Sequence, residues 1–123
     1  MKYRKLKGWK YELLEELSCD VELPMETSLA TEYILVIDRC LIVKKRYAWD
    51  GPSGPTFDRK TNMRASLFHD ALTQLIGEGL LDKKYRKYAD QLFRKHLLED
   101  GMPKWQAWCY YSAVRTYSKL KGM

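Results

Sequence analysis

Long apolar runs, paired cysteines and histidines are what this chain of 123 residues has least of. No apolar stretch approaches the roughly 18 to 20 residues that a bilayer-spanning helix needs, so no such helix is expected. Behind the opening Met1-Lys2-Tyr3-Arg4-Lys5-Leu6-Lys7 there is no apolar segment of the kind found in secretion signals, and none is expected to be read as one. Cysteines number three, Cys19, Cys40 and Cys109. Odd in number and widely spaced, they form neither a CxxC redox pair nor a zinc knuckle; a reducing cytoplasm, with all three as small core residues, is the expectation. His69 and His96 are the only histidines. No internal repeat or low-complexity tract interrupts the chain. Its length suits a single domain over 1–123, with a core large enough to fold without disulfides or structural metal.

Charge is plentiful by contrast, and it is segregated. Lys and Arg total 22 against 16 Asp and Glu, a net +6. Residues 1–10 carry five basic residues and no acid, residues 11–38 carry eight acids and no Lys or Arg, and residues 39–123 carry 17 basic and 8 acidic residues. An acidic segment folding against a basic half cancels much of its field, and no nucleic-acid docking motif accompanies the charge. Nucleic acid is therefore not an expected partner, and neither is a membrane.

The hydrophobic pattern predicts an α+β fold: an N-terminal antiparallel β-meander of about four strands, a long loop, and three helices with the first central. Residues 1–8 read as a basic N-terminal arm, 9–48 as the β part, 49–62 as a functional loop and 63–120 as the helical part. Trp9-Lys10-Tyr11-Glu12-Leu13 and Cys19-Asp20-Val21-Glu22-Leu23 alternate as half-buried strands do. Residues 33–43, rich in β-branched side chains and broken by Asp38-Arg39, fit a hairpin. Residues 14–18 fit a helical turn or a strand about equally. The loop has two Gly and two Pro within residues 51–55, and Trp49 and Phe57 as aromatic anchors near its ends. Thr61 or Asn62 can cap the helix that follows. Helices are expected at 63–76, 83–99 and from Pro103 onward.

The first of these helices points to a site. Ala65, Leu67, Phe68, Ala71, Leu72, Leu75 and Ile76 cover most of its circumference, as on a helix at the centre of a domain. One narrow polar strip remains: Ser66, His69, Asp70 and Thr73, at i, i+3, i+4 and i+7. Buried polar groups must be hydrogen-bonded, so the strip faces either a structural network or a ligand pocket. In the pocket reading its other wall is the loop, supplying Asp50, Ser53 and Thr56. A histidine beside carboxylates is the usual apparatus of acid/base chemistry or of divalent-metal binding, and one divalent ion is the cofactor that Asp50, His69 and Asp70 would hold. Adjacent helical residues point about 100° apart, so His69 and Asp70 need help from elsewhere to share a proton or a metal. Asp90, flanked by Arg86 and Arg94, reads first as a surface ion-pair partner. Arg115 shares a face with Trp108 and Tyr111, as a cation packed over rings or as an anion clamp. The metal site of phosphohydrolases built on a His-Asp pair cannot be assembled, because no histidine precedes His69.

Four blocks resemble a known family: Trp49-Asp50-Gly51-Pro52-Ser53-Gly54-Pro55, Ser66-Leu67-Phe68-His69-Asp70-Ala71-Leu72, Ala89-Asp90-Gln91-Leu92-Phe93 and Tyr111-Ser112-Ala113-Val114-Arg115. In this order and spacing they are similar to the domain of unknown function 1353 family, small proteins found largely in bacteriophages, prophages and bacteria. The resemblance implies a phage or prophage accessory protein of the host-cell cytoplasm, with virion association left open. It centres on Asp50, Ser53, His69, Asp70 and Asp90, and implies no mechanism. The loop here reads Gly-Pro-Ser-Gly-Pro where many relatives read Gly-Ala-Ser-Ile-Pro.

Three functions compete. The first is a small hydrolase-like enzyme: Asp50, His69 and Asp70 are catalytic, and Ser53, Thr56, Ser66, Thr73, Asp90 and Arg115 contact a small anionic substrate of cell-wall-precursor or nucleotide type. The second is a noncatalytic, sequestering anti-defence protein using the same pocket. The third is a structural or assembly protein whose exposed aromatics make contacts, in which case an oligomer is open.

Overall fold

The computed structural model describes residues 1–8, 10–51 and 61–121. The chain divides into two compact units, Met1–Asp50 and Gly51–Met123. Strands come first and helices after, an α+β arrangement as expected.

Among the described residues the first unit holds seven short strands in two antiparallel sheets, in place of one meander of about four. One sheet joins β1 (Tyr3–Lys5), β2 (Tyr11–Leu13) and β7 (Ala48–Trp49), in the order β1-β2-β7. The other joins β3 (Leu17–Asp20), β4 (Leu29–Ala30), β5 (Ile34–Ile37) and β6 (Cys40–Val43), in the order β3-β6-β5-β4. The hairpin of β5 and β6 follows from its sequence. Ile34 and Val36 are buried and lie opposite Val43 and Leu41, also buried, so the period of two puts one face into the core. Asp38 and Arg39 take φ of 50° and 57°, the left-handed pair that a two-residue turn of this twist requires.

Three expectations need correction, two in this unit and one that reaches into the second. Residues 1–8 are not simply an arm: β1 pairs with β2, Tyr3 packs edge-on against Tyr11 and Trp49, and Arg4 bonds Glu12. The second strand runs from Leu17, not from Cys19, because Leu17 is held in register opposite Val43; Val21 and Leu23 still reach the core beyond its end. Cys19 and Cys40 are only half-buried and Cys109 is exposed, so the three are not core residues.

The second unit contains α1 (Met63–Gly77), a 3₁₀ turn (Lys83–Tyr85), α2 (Arg86–Glu99) and α3 (Lys104–Leu120). Asn62 takes the cap position of α1, and its carbonyl accepts from the Ser66 N–H at 3.0 Å. Asp82 caps the 3₁₀ turn through the Lys84 N–H at 2.8 Å. Pro103 precedes α3, where its missing N–H is no loss. Of the three helices α1 is the most completely buried, with Ala65, Leu67, Phe68, Ala71 and Leu75 all at zero exposure. Helix α2 packs against both others. Ala65, Phe93, Leu97, Met102, Ala107 and Val114 form the shared apolar core. Arg64, at the start of α1, bonds Asp100 and Glu99 at the end of α2, fastening that edge. No helix among the described residues is long and apolar enough to cross a membrane.

Candidate functional site

The helical pattern that buries α1 also brings His69 toward α2. There its Nε2 meets Asp90 Oδ1 at 2.6 Å, and its ring lies 4.9 Å from that of Phe93. Asp90 is fully buried and is the hub of a network drawn from all three helices. Arg86, one turn earlier on α2, donates from Nε to Oδ1 at 3.2 Å. Arg115 of α3 donates from Nη1 to Oδ2 at 2.9 Å. Ser118 Oγ lies 3.0 Å from the same oxygen and 2.8 Å from the Val114 carbonyl, so its single proton serves one of the two at a time.

Electrostatics follow from this geometry. Burial pushes the Asp90 carboxyl upward, but the hydrogen bond and electrostatics of His69, the charge of Arg86 and the Ser118 hydroxyl outweigh it and hold its pKa below the usual aspartate value. Asp90 is therefore an ionised, acceptor-only group, and a nitrogen bonded to it must carry a proton. In neutral His69 that fixes the proton on Nε2 and leaves the lone pair on Nδ1. Two guanidinium groups, those of Arg86 and Arg115, meet the Asp90 carboxylate.

The candidate residues divide accordingly. His69, Asp90 and Arg115 come together. Asp90 is not a surface ion-pair partner, because it is fully buried on α2 and bonded by side chains from all three helices. Arg115 bonds Asp90, and among the described residues the guanidinium over Trp108 and Tyr111 is that of Arg94, 5.4 and 5.9 Å from their rings. Ser66 and Thr73 turn back onto their own helix, donating to the Met63 and Asp70 carbonyls at 2.9 and 3.1 Å. Asp70 is half-buried on α1. Asp50 is exposed at the end of the first unit, and Ser53 and Thr56 lie outside the described residues. Among the described residues no group of three or more His, Cys, Asp or Glu side chains is placed to hold a metal ion.

Arg86, noted in the sequence only as a flank of Asp90, and Ser118, which the sequence reading passed over, complete the network. Their signal was spacing alone: Arg86 precedes Asp90 by one helical turn, and Ser118 follows Arg115 by one.

Comparison with protein families now carries weight, because residues 30–114 match the model described as "Protein of unknown function (DUF1353)". The chain belongs to this family. The match spans His69, Asp90 and most of α3, and stops one residue short of Arg115. Searches of curated proteins and of solved structures find no match.

Proposed function

We propose that the helical unit of this DUF1353 protein binds a small anionic ligand at the edge of the Asp90 cluster where Arg115 and His69 retain some exposure. The supporting observation is the placement of Arg115: its Nη1 bonds the fully buried Asp90 at 2.9 Å while its own side chain is 18% exposed. An arginine pinned at one nitrogen by a buried carboxylate is pre-oriented, and its remaining N–H groups form a fork suited to a phosphate or carboxylate. The ligand class is a nucleotide-type or cell-wall-precursor anion, and sequestering it is the role, in keeping with a phage or prophage accessory protein acting in the host cytoplasm. Calorimetric titration with inorganic phosphate and with a nucleoside monophosphate tests this. Binding by the wild type, its loss in Arg115→Ala with helicity retained, and partial recovery in Arg115→Lys are expected; an Arg115→Ala variant that binds as the wild type does would sink the reading.

A second reading, a hydrolase, is favoured by the short His69–Asp90 contact. An ionised Asp90 that holds the Nε2 proton orients His69 and leaves Nδ1 to accept a proton from an attacking water, which makes His69 the general base and Asp90 its positioning residue. Asp70, its neighbour on α1, is the candidate second carboxylate. Turnover of phosphoester or cell-wall-precursor substrates that disappears in His69→Ala, and whose pH profile moves in Asp90→Asn, separates this reading from sequestration, in which bound ligand is recovered unchanged.

A further inference from the structure

The acids of residues 11–38 lie in the first unit, where residues 1–50 carry nine basic and nine acidic residues, so the second unit holds the whole of the net +6. The balance that argued against nucleic acid is thus struck within the first unit. In the second, α2 gathers basic residues on one side. Its buried Ala89, Phe93, His96 and Leu97 occupy one face, and Lys87, Gln91, Arg94 and Lys95 fall at i, i+4, i+7 and i+8 on the opposite one. Lys87, Gln91 and Lys95 are exposed and Arg94 is half-buried, while the exposed Lys83 and Lys84 of the 3₁₀ turn lead into the helix. No acidic residue interrupts this face: Asp90 is buried in its cluster, and Glu99 at the far end bonds Arg64. Among the described residues Lys83, Lys84, Lys87 and Lys95 form no ion pair. From Lys87 to Lys95 the face runs about 12 Å, room for roughly three phosphates at the spacing of one nucleic-acid strand.

Flat groups border the basic face. Arg94 lies over Trp108 and Tyr111 of α3, and its Nε is buried without a hydrogen-bond partner among the described residues. Rings in place of a carboxylate hold this guanidinium, so its charge is not neutralised. Trp108 keeps 54% exposure beside it. We infer that a single-stranded nucleic acid binds along this face of α2, with its phosphates on Lys84, Lys87, Arg94 and Lys95 and a base stacked at the edge of Arg94 and Trp108. Charge complementarity selects a polyanion, because four cations in a row meet no acid of their own chain. The planar pair selects a strand whose bases are free to stack on it over a duplex whose bases are already stacked. Arg86 and Arg115, bonded to Asp90, take no part.

Fluorescence anisotropy of labelled oligo(dT) with the full chain tests this. The wild type is expected to bind at about micromolar concentration in low salt, with log K falling against log salt at a slope of about −2 to −3, as roughly four phosphate contacts to a single strand give. Lys87→Glu/Lys95→Glu is expected to weaken binding about tenfold or more and to bring the slope to about half, with helicity unchanged. Lys87→Gln/Lys95→Gln, which adds no acid to the helix, is expected to give the same slope with a smaller loss. Trp108→Ala is expected to weaken binding about fivefold or more. Lys119→Glu/Lys121→Glu makes the same change of net charge at exposed positions off this face, and is expected to lose much less. Equal losses in the two charge-reversed double variants, or a wild type that does not bind, overturn the proposal. A duplex bound as tightly as oligo(dT) overturns the single-strand assignment. Phosphatidylserine vesicles or polyglutamate bound in preference to oligo(dT) overturn nucleic acid as the partner.

Discussion

The two units keep their charges in opposite places. In residues 1–50, nine basic residues balance nine acidic ones, and the pairs of Glu12 with Arg4 and Arg46 use arginines that are largely exposed. Leu13, Ile34, Val36, Leu41 and Val43, all at zero exposure, lie in the core of that unit, and none of its buried side chains carries a formal charge among the described residues. Residues 51–123 have thirteen basic and seven acidic residues, the whole of the net +6, and place a carboxylate at the meeting point of three helices. Removing a charge from the first unit leaves its partners in water. Removing Asp90 takes the shared carboxylate from His69, Arg86, Arg115 and Ser118 inside the helical unit, which is far more costly.

The largest test of that contrast sets Asp90→Asn against Glu12→Gln in urea denaturation. Asp90→Asn is expected to lose about 3 to 5 kcal/mol, the usual effect of removing one member of a buried ionic network. Glu12→Gln is expected to lose under about 1 kcal/mol, as surface pairs do. Equal losses would erase the distinction between the units.

Acid is the next test. His96 is buried, its Nδ1 has no hydrogen-bond partner among the described residues, and burial together with the charge of Arg64 lowers its pKa from 6.5 to about 4. The unfolded chain thus binds more protons at this site than the folded one between those values. Stability from His96 is complete above about pH 6.5 and falls as pH drops toward 4. Asp90, with its pKa held down, adds a loss that sets in as pH falls below the ordinary aspartate value. His96→Leu should flatten the first part of the curve and leave the second, as read by urea midpoints across pH. A mutant with the wild-type slope above pH 4 would remove His96 from the account.

The smallest effect belongs to the first unit. Asp38 holds φ of 50° in the β5–β6 turn, a conformation asparagine adopts more readily, so Asp38→Asn should raise stability by about 0.3 kcal/mol. A loss of stability on this substitution would contradict the turn geometry.

What could be read from sequence follows how far apart the partners are. The β5–β6 hairpin was legible because its alternation, its β-branched residues and its turn all lie within residues 33–43. The three helices were legible for the same reason: each carries its own period and its own ends. Strand β1 was not, because three residues dominated by Arg4 and Lys5 become a strand only when Tyr11 and Trp49 supply a surface for Tyr3. Ser66, His69, Asp70 and Thr73 showed that α1 carries buried polarity, yet sequence could not divide the strip. Two of its members close onto backbone carbonyls one turn away, and a third reaches a residue 21 positions along the chain. Whether Arg115 covers rings or clamps an anion stayed open in the sequence, and Arg94 was noticed only as a flank of Asp90. Both are arginines near aromatic positions, and only the packing of α2 against α3 decides which one covers rings and which one meets Asp90.

The central claim is that an ionised Asp90 fixes His69 and, with Arg115, presents a positive edge to an anion. Long-range proton–nitrogen NMR of the His69 imidazole, recorded near neutral pH with and without millimolar inorganic phosphate, tests it most directly. The account predicts a proton on Nε2, an unprotonated or hydrogen-bonded Nδ1, and signals that move on adding phosphate in the wild type but not in Arg115→Ala. A proton resident on Nδ1 with Nε2 bare, or His69 signals indifferent to phosphate, would contradict it.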